Sequence, residues 1–149
     1  MDIKEVLLKQ CILIVNNRLE TVEKIISSNQ KALQSETKSS AGDKHETGRA
    51  MLQLEMEKAS QQLIAIQEMK LVLEKIDVLK ESKIACLGSV IETDGLRYFL
   101  AVSVGKITVN NKDYFAISVF SPIGKLLLGK QHGEALLFNH VTSKIHKVF

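Results

Sequence analysis

From Met1 to Ala41 the chain contains neither glycine nor proline, and it contains neither again between Gly48 and Gly88. Few arrangements other than long helices run this far without a turn residue. In the first stretch Leu8, Ile12, Val15, Leu19, Val22, Ile26, Asn29 and Leu33 recur at alternating spacings of four and three. That is a heptad seam held over more than three repeats. Lys9, Arg18, Glu20, Glu23, Lys24, Gln30 and Lys31 fall on the other faces, as solvated positions should. In the second stretch the seam resumes at Leu52, Met56, Ala59, Leu63 and Ile66, then continues through Met69, Leu73 and Ile76 one residue out of strict register. Residues 35–48 between them are polar, hold two glycines, and carry no apolar side chain larger than alanine. Two helices joined by a short polar turn bury their seams by folding back on each other. The expectation is an antiparallel coiled-coil hairpin over 1–82, with its tip at about 36–48. At a rise of 1.5 Å per residue, arms of about 35 residues make a rod of roughly 50 Å. A coiled-coil protein-interaction module, with nothing beyond packing or pairing in its seam, is one reading of this half.

Past Ser82 the chain changes character. All seven aromatic residues lie beyond position 97, and the only proline is Pro122. Residues 1–82 carry 12 Lys/Arg against 13 Asp/Glu, a net −1; residues 83–149 carry 8 against 4, a net +4. Ile84 to Ile91, Tyr98 to Val104, Lys106 to Val109 and Asp113 to Val119 are short and rich in β-branched or aromatic residues. Asp94-Gly95 and Asn110-Asn111 supply turns between them. Ser121-Pro122 opens a short helix, with serine as N-cap and proline in the first turn, and Gly129 ends it. Ile123, Leu126 and Leu127 would form its buried side. Ala135 to Phe138 and Lys144 to Phe149 predict two closing strands. The whole chain therefore reads as α+β: a helical hairpin over 1–82, then a small antiparallel β-sheet domain with one short helix over 83–149.

Several function classes are disfavoured on composition. With 45% hydrophobic and 25% charged residues, the 149-residue chain has the balance of a soluble protein, and no apolar run approaches a membrane span. Cys11-Ile12-Leu13-Ile14-Val15 follows the acidic Asp2 and Glu5 and does not read as a secretory signal. Cys11 and Cys86 form neither a disulfide framework nor a zinc spacing, so a reduced, cytoplasmic chain is expected. A net charge of +3 gives no argument for autonomous DNA binding. No Ser-His-Asp arrangement stands out, Gly88, Gly95 and Gly105 make no phosphate loop, and His132, His140 and His146 lack a second cluster of ligands. No self-contained enzyme active site is expected.

The tip is the exception. Asp43 and Glu46 stand at i and i+3, with Lys44, His45 and Arg49 around them. At the start of a helix the two carboxylates can face one way, their Cβ atoms about 5–6 Å apart. Magnesium is commonly held by one or two protein carboxylates plus waters and a partner's oxygens, so this pair suits a shared ion. The same Asp-x-x-Glu is also a capping box, with Asp43 as N-cap and Glu46 reaching back to its amide. A cap can orient the very carboxylates that reach a metal, so the two readings are compatible.

A helical hairpin with an acidic tip, followed by a sheet domain carrying Ser121-Pro122-Ile123-Gly124-Lys125-Leu126-Leu127-Leu128-Gly129-Lys130-Gln131-His132-Gly133-Glu134, resembles the Gre family of bacterial transcript-cleavage factors. Gly88-Ser89-Val90 is similar to the family's first strand. The resemblance implies an FKBP-like second domain and, as partner, RNA polymerase, whose secondary channel the rod would enter. It implies that Asp43 and Glu46 act in trans at the polymerase active centre, holding a shared Mg ion during cleavage of backtracked RNA. It also implies docking of the second domain through Ser121, Pro122 and Ile123. Lys44 and Arg49 would lie near the nascent RNA 3′ end. Thr47 and Ala50 stand where the family motif has an asparagine and an aromatic. A Gre-like regulator that occupies the channel without stimulating cleavage is therefore a further expectation.

Overall fold

The structure is a computed structural model and describes residues 2–38 and 43–149, with the side chains of residues 36–46 outside the description. Two long helices come first, α1 (Ile3–Lys38) and α2 (Asp43–Glu74). Six strands and a short helix follow: β1 (Val90–Thr93), β2 (Arg97–Ala101), β3 (Gly105–Val109), β4 (Lys112–Ser118), α3 (Pro122–Leu127), β5 (Ala135–Phe138) and β6 (Val141–Val148). The fold is α+β, as the change of periodicity at Ser82 predicts. No helix among the described residues is long and apolar enough to cross a membrane.

The chain divides into two compact units, one of Val15–Met69 and one of Met1–Ile14 with Lys70–Phe149. In the first unit the expected seam is where burial falls: Val15, Val22, Asn29, Ala59 and Ile66 are buried, and Leu19, Ile26, Leu33, Leu52, Met56 and Leu63 are half-buried. Residues from both helices line one groove, Ile25, Ser28 and Asn29 on α1 with Glu55, Lys58, Ala59 and Gln62 on α2, so these segments are neighbours. Asn29 is buried, and its Nδ2 has no hydrogen-bond partner among the described residues.

At the base of α1 the seam departs from expectation. Leu7 and Cys11 are fully buried, whereas Ile12 is 40% exposed and Leu8 only half-buried. The buried line there runs through Leu7, Cys11 and Val15 at spacings of four, and this base groups with Lys70–Phe149 and not with the rest of α1. Lys4 is buried as well, its Nζ donating to the Lys80 carbonyl at 2.8 Å, which ties α1 to the linker after α2.

The sheet has the order β3-β4-β2-β1-β6-β5. It is mixed, not antiparallel throughout: β2 and β4 pair in parallel, Phe99 with Ala116 and Leu100 with Ile117. The Asn110-Asn111 turn, with φ of 52° and 62°, folds β4 back along β3 and into the gap between β3 and β2. Paired φ values of this kind make a type I′ hairpin, which asparagine tolerates. Residues 84–89, expected to open the first strand, are irregular. Ala85 pairs instead with the far loop, donating to Lys130 O at 2.9 Å and accepting from Gly129 N at 2.8 Å. Gly88 then turns at φ +91°, where a Cβ would sit 3.1 Å from Ile76 Cγ2. β6 begins earlier than expected, at Val141, because Asn139 and His140 form a second hairpin turn with φ of 51° and 65°. On one sheet face Ile91, Leu100, Leu127, Leu136, Ile145, Val148 and Ala85 form the core, with Tyr98, Ile117 and Ile123 against it. Val90 and Phe99 on the opposite face are fully buried too.

Candidate functional site

The helix α2 starts at Asp43 and continues through Gly48 without interruption. The side chains of Asp43, Lys44 and Glu46 lie outside the described residues. Arg49 is exposed. Among the described residues, no group of three or more His, Cys, Asp or Glu side chains could hold a metal ion. Two carboxylates in the first turn are a donor set that fits part of a magnesium shell, with the remaining oxygens left to water and a partner.

The segment from Ser121 to Glu134 is described in full. Ser121 is extended, at φ −70° and ψ 159°, and caps α3. Its Oγ accepts from Gly124 N at 3.1 Å and donates to Ser118 O at 2.7 Å. Both capacities of the hydroxyl are thus spent on shaping the β4–α3 corner. Pro122 opens the helix and is exposed, while Ile123 is half-buried against the core. Of the three residues expected to meet a partner, Pro122 has the free side chain; Ser121 and Ile123 hold it in place. Phe120 next to it is 74% exposed, and Leu126 and Leu128 are 40% exposed, so the surface around α3 is more apolar than solubility asks for.

Gly124 is needed here for space, not for an unusual φ. A Cβ at this position would lie 2.0 Å from the Ser118 carbonyl oxygen and 2.9 Å from Ser121 Oγ. The helix can press onto the end of β4 only because no side chain intervenes. Beyond α3 the loop is pinned on both sides. Gly129 turns at φ +81° beside Ala85, Gln131 N donates to Glu134 Oε2 at 2.7 Å, and Gly133 N donates to Ile145 O at 2.8 Å.

Sequence reasoning missed one polar pair altogether. His146 Nε2 bonds Asp94 Oδ1, and Asp94 Oδ2 accepts from Lys144 N at 2.9 Å. The Lys144 amide, then the His146 contact, hold the Asp94 carboxyl below its ordinary value. The two residues are 52 apart, and only the β1–β6 pairing brings them together. The two cysteines behave as expected of packing residues. Burial pushes the Cys11 thiol up to about 12, which removes it as a nucleophile at neutral pH. Cys86 is half-buried, its Sγ 3.5 Å from Ser89 Oγ. No protein-family model matches this chain, and no curated protein matches it either.

Proposed function

We propose that this chain is a Gre-like accessory factor of RNA polymerase that stimulates cleavage of backtracked RNA from within the secondary channel. The observation that carries the reading is the Ser121–Glu134 segment: a serine-capped helix pressed onto β4 through Gly124, in a sheet unit that follows two long helices. The coiled-coil form of the helical part is supported by burial every seventh residue, at Val15, Val22 and Asn29 on α1 and at Ala59, Ile66 and Leu73 on α2. The FKBP-like form of the second part is supported by a mixed sheet carrying one short helix on a face.

In this reading Pro122 and its apolar surroundings dock against the polymerase at the channel mouth. Asp43 and Glu46 hold a magnesium ion jointly with the polymerase, and that ion, when bound, supplies Lewis-acid activation of water at the RNA backbone. This chain contributes position and negative charge; the catalytic site is the polymerase's own. Lys44 and Arg49 flank the RNA 3′ end.

The test is RNA cleavage in stalled, backtracked elongation complexes with magnesium. Wild type should release short 3′ fragments; Asp43→Asn and Glu46→Gln should not, while binding polymerase with unchanged affinity. Cleavage by the double variant at the wild-type rate would dispose of the metal-ligand role. A second reading, a channel-occupying regulator without cleavage activity, is favoured by Thr47 and Ala50 in place of the family's asparagine and aromatic. It predicts displacement of another channel-binding factor without any RNA product.

A further inference from the structure

Three segments distant in sequence converge on one side of the sheet unit. The Ala85–Lys130 and Gly129–Ala85 hydrogen bonds lay the segment before β1 against the loop after α3. The Gly133–Ile145 and Ile145–Glu134 hydrogen bonds lay that loop against β6. The result is a cleft of about 470 Å³ lined by Lys83, Gln131, His132, His146, Lys147 and Val148. That volume falls within the roughly 300–1,000 Å³ of small-ligand sites.

The charged side chains of its lining are Lys83 and Lys147. Lys83, His132 and Lys147 form no ion pair among the described residues. The two nearby carboxylates are already engaged, Asp94 by His146 and the Lys144 amide, Glu134 by the Gln131 amide. Lys147 is held with its Nζ 4.7 Å from the centre of the Phe149 ring, which steadies the chain of the lysine. The cleft thus presents two ammonium groups, the His132 imidazole and one carboxamide, while His146 Nε2 is already given to Asp94.

We propose that this cleft binds a phosphate group, either of a small phosphorylated molecule or within a polynucleotide backbone. The donor count selects phosphate over carboxylate. A carboxylate offers two oxygens and one charge, whereas four N–H-bearing side chains, Lys83, Gln131, His132 and Lys147, match a phosphate's three or four oxygens and its higher charge. The proposal does not rest on the polymerase reading: Gln131 and His132 share the Ser121–Glu134 segment with it, but no lining residue lies in the tip or in α3.

The experiment is an amide-resonance titration of the full chain at low salt with inorganic phosphate, with pyrophosphate and with a single-stranded oligonucleotide. Saturable shifts confined to residues 83, 131–132 and 146–148 are expected. Tightest binding by pyrophosphate assigns the site to a small ligand; tightest binding by the oligonucleotide, with a steep salt dependence, assigns it to a backbone. The variant Lys83→Ala/Lys147→Ala, both positions exposed and outside the core, should keep the wild-type melting temperature and lose at least about tenfold in affinity. Shifts scattered over all lysines, or a double variant binding as wild type does, would overturn the assignment.

Discussion

Replacing Gly124 by alanine tests whether the β4–α3 corner is as tight as its geometry indicates. The new methyl carbon would sit 2.0 Å from the Ser118 carbonyl oxygen and 2.9 Å from the Ser118 carbonyl carbon. Ordinary contact is about 3.5 Å, so the helix must retreat by roughly 1.5 Å. The carbonyl cannot yield instead, because it accepts from Ser121 N at 3.1 Å and Ser121 Oγ at 2.7 Å, and Ser118 belongs to β4. Retreat strains the Ser121 cap, worth about 1 kcal/mol. Overpacking against backbone adds about 3 kcal/mol, the upper end for inserted methyl groups. Alanine's better helix propensity returns about 1 kcal/mol. The clash wins, leaving a loss of about 3 kcal/mol and, for a unit of under about 100 residues, a melting temperature lower by roughly 12–24 °C. Tyrosine fluorescence is the right assay. Both tyrosines, Tyr98 and Tyr114, lie in the sheet unit, so the signal does not report the helical unit's melting. Gly95→Ala is the control, since a Cβ there meets nothing within 4 Å. Equal melting of Gly124→Ala and Gly95→Ala would refute the close approach and, with it, the account of why glycine stands inside this segment.

Other outcomes follow from the same geometry. Asn29→Leu should raise the stability of the helical unit by about 1–3 kcal/mol, because a buried amide without a partner is replaced by an apolar side chain; urea unfolding followed by circular dichroism measures it. The Cys11 thiol, raised from its ordinary 9.0 to about 12, keeps its proton longer in the folded than in the unfolded chain. Stability should therefore fall by about 1.4 kcal/mol per pH unit above 9, a slope absent in Cys11→Ala. At neutral pH a thiol reagent should modify one cysteine, Cys86, and label Cys11 only on denaturation. Asp94 is held below its ordinary 3.8, so it binds its proton less readily folded than unfolded. Its contribution is present above about pH 4 and is lost as the pH falls through the folded value. Acid titration of Asp94→Asn should lack that part of the loss.

Two levels of organisation separate cleanly in this protein. The helices were legible because a side chain every three or four residues is a local rule, and the seam from Val15 to Leu33 needs nothing from the rest of the chain. The serine cap of α3 and the Asn110-Asn111 turn were equally local, since each satisfies backbone demands within four residues. At the base of α1 the local rule gave way: Leu7 and Cys11 are buried in place of Leu8 and Ile12, in the part of the helix that groups with Lys70–Phe149 and not with the rest of α1. The parallel pairing of β2 and β4 was likewise invisible, because alternation marks strands but not their neighbours. Residues 84–89 have the composition of a strand, yet Ala85 bonds the 129–130 loop and only Gly88 and Ser89 reach Leu100 of β2. The cationic cleft is the extreme case. Lys83 and Lys147 are unremarkable in sequence, and only hydrogen bonding between three remote segments brings their charges together. Periodicity determined the elements here, since it is a property of neighbours along the chain; tertiary pairing decided which surfaces and charges meet, since that depends on residues far apart in sequence.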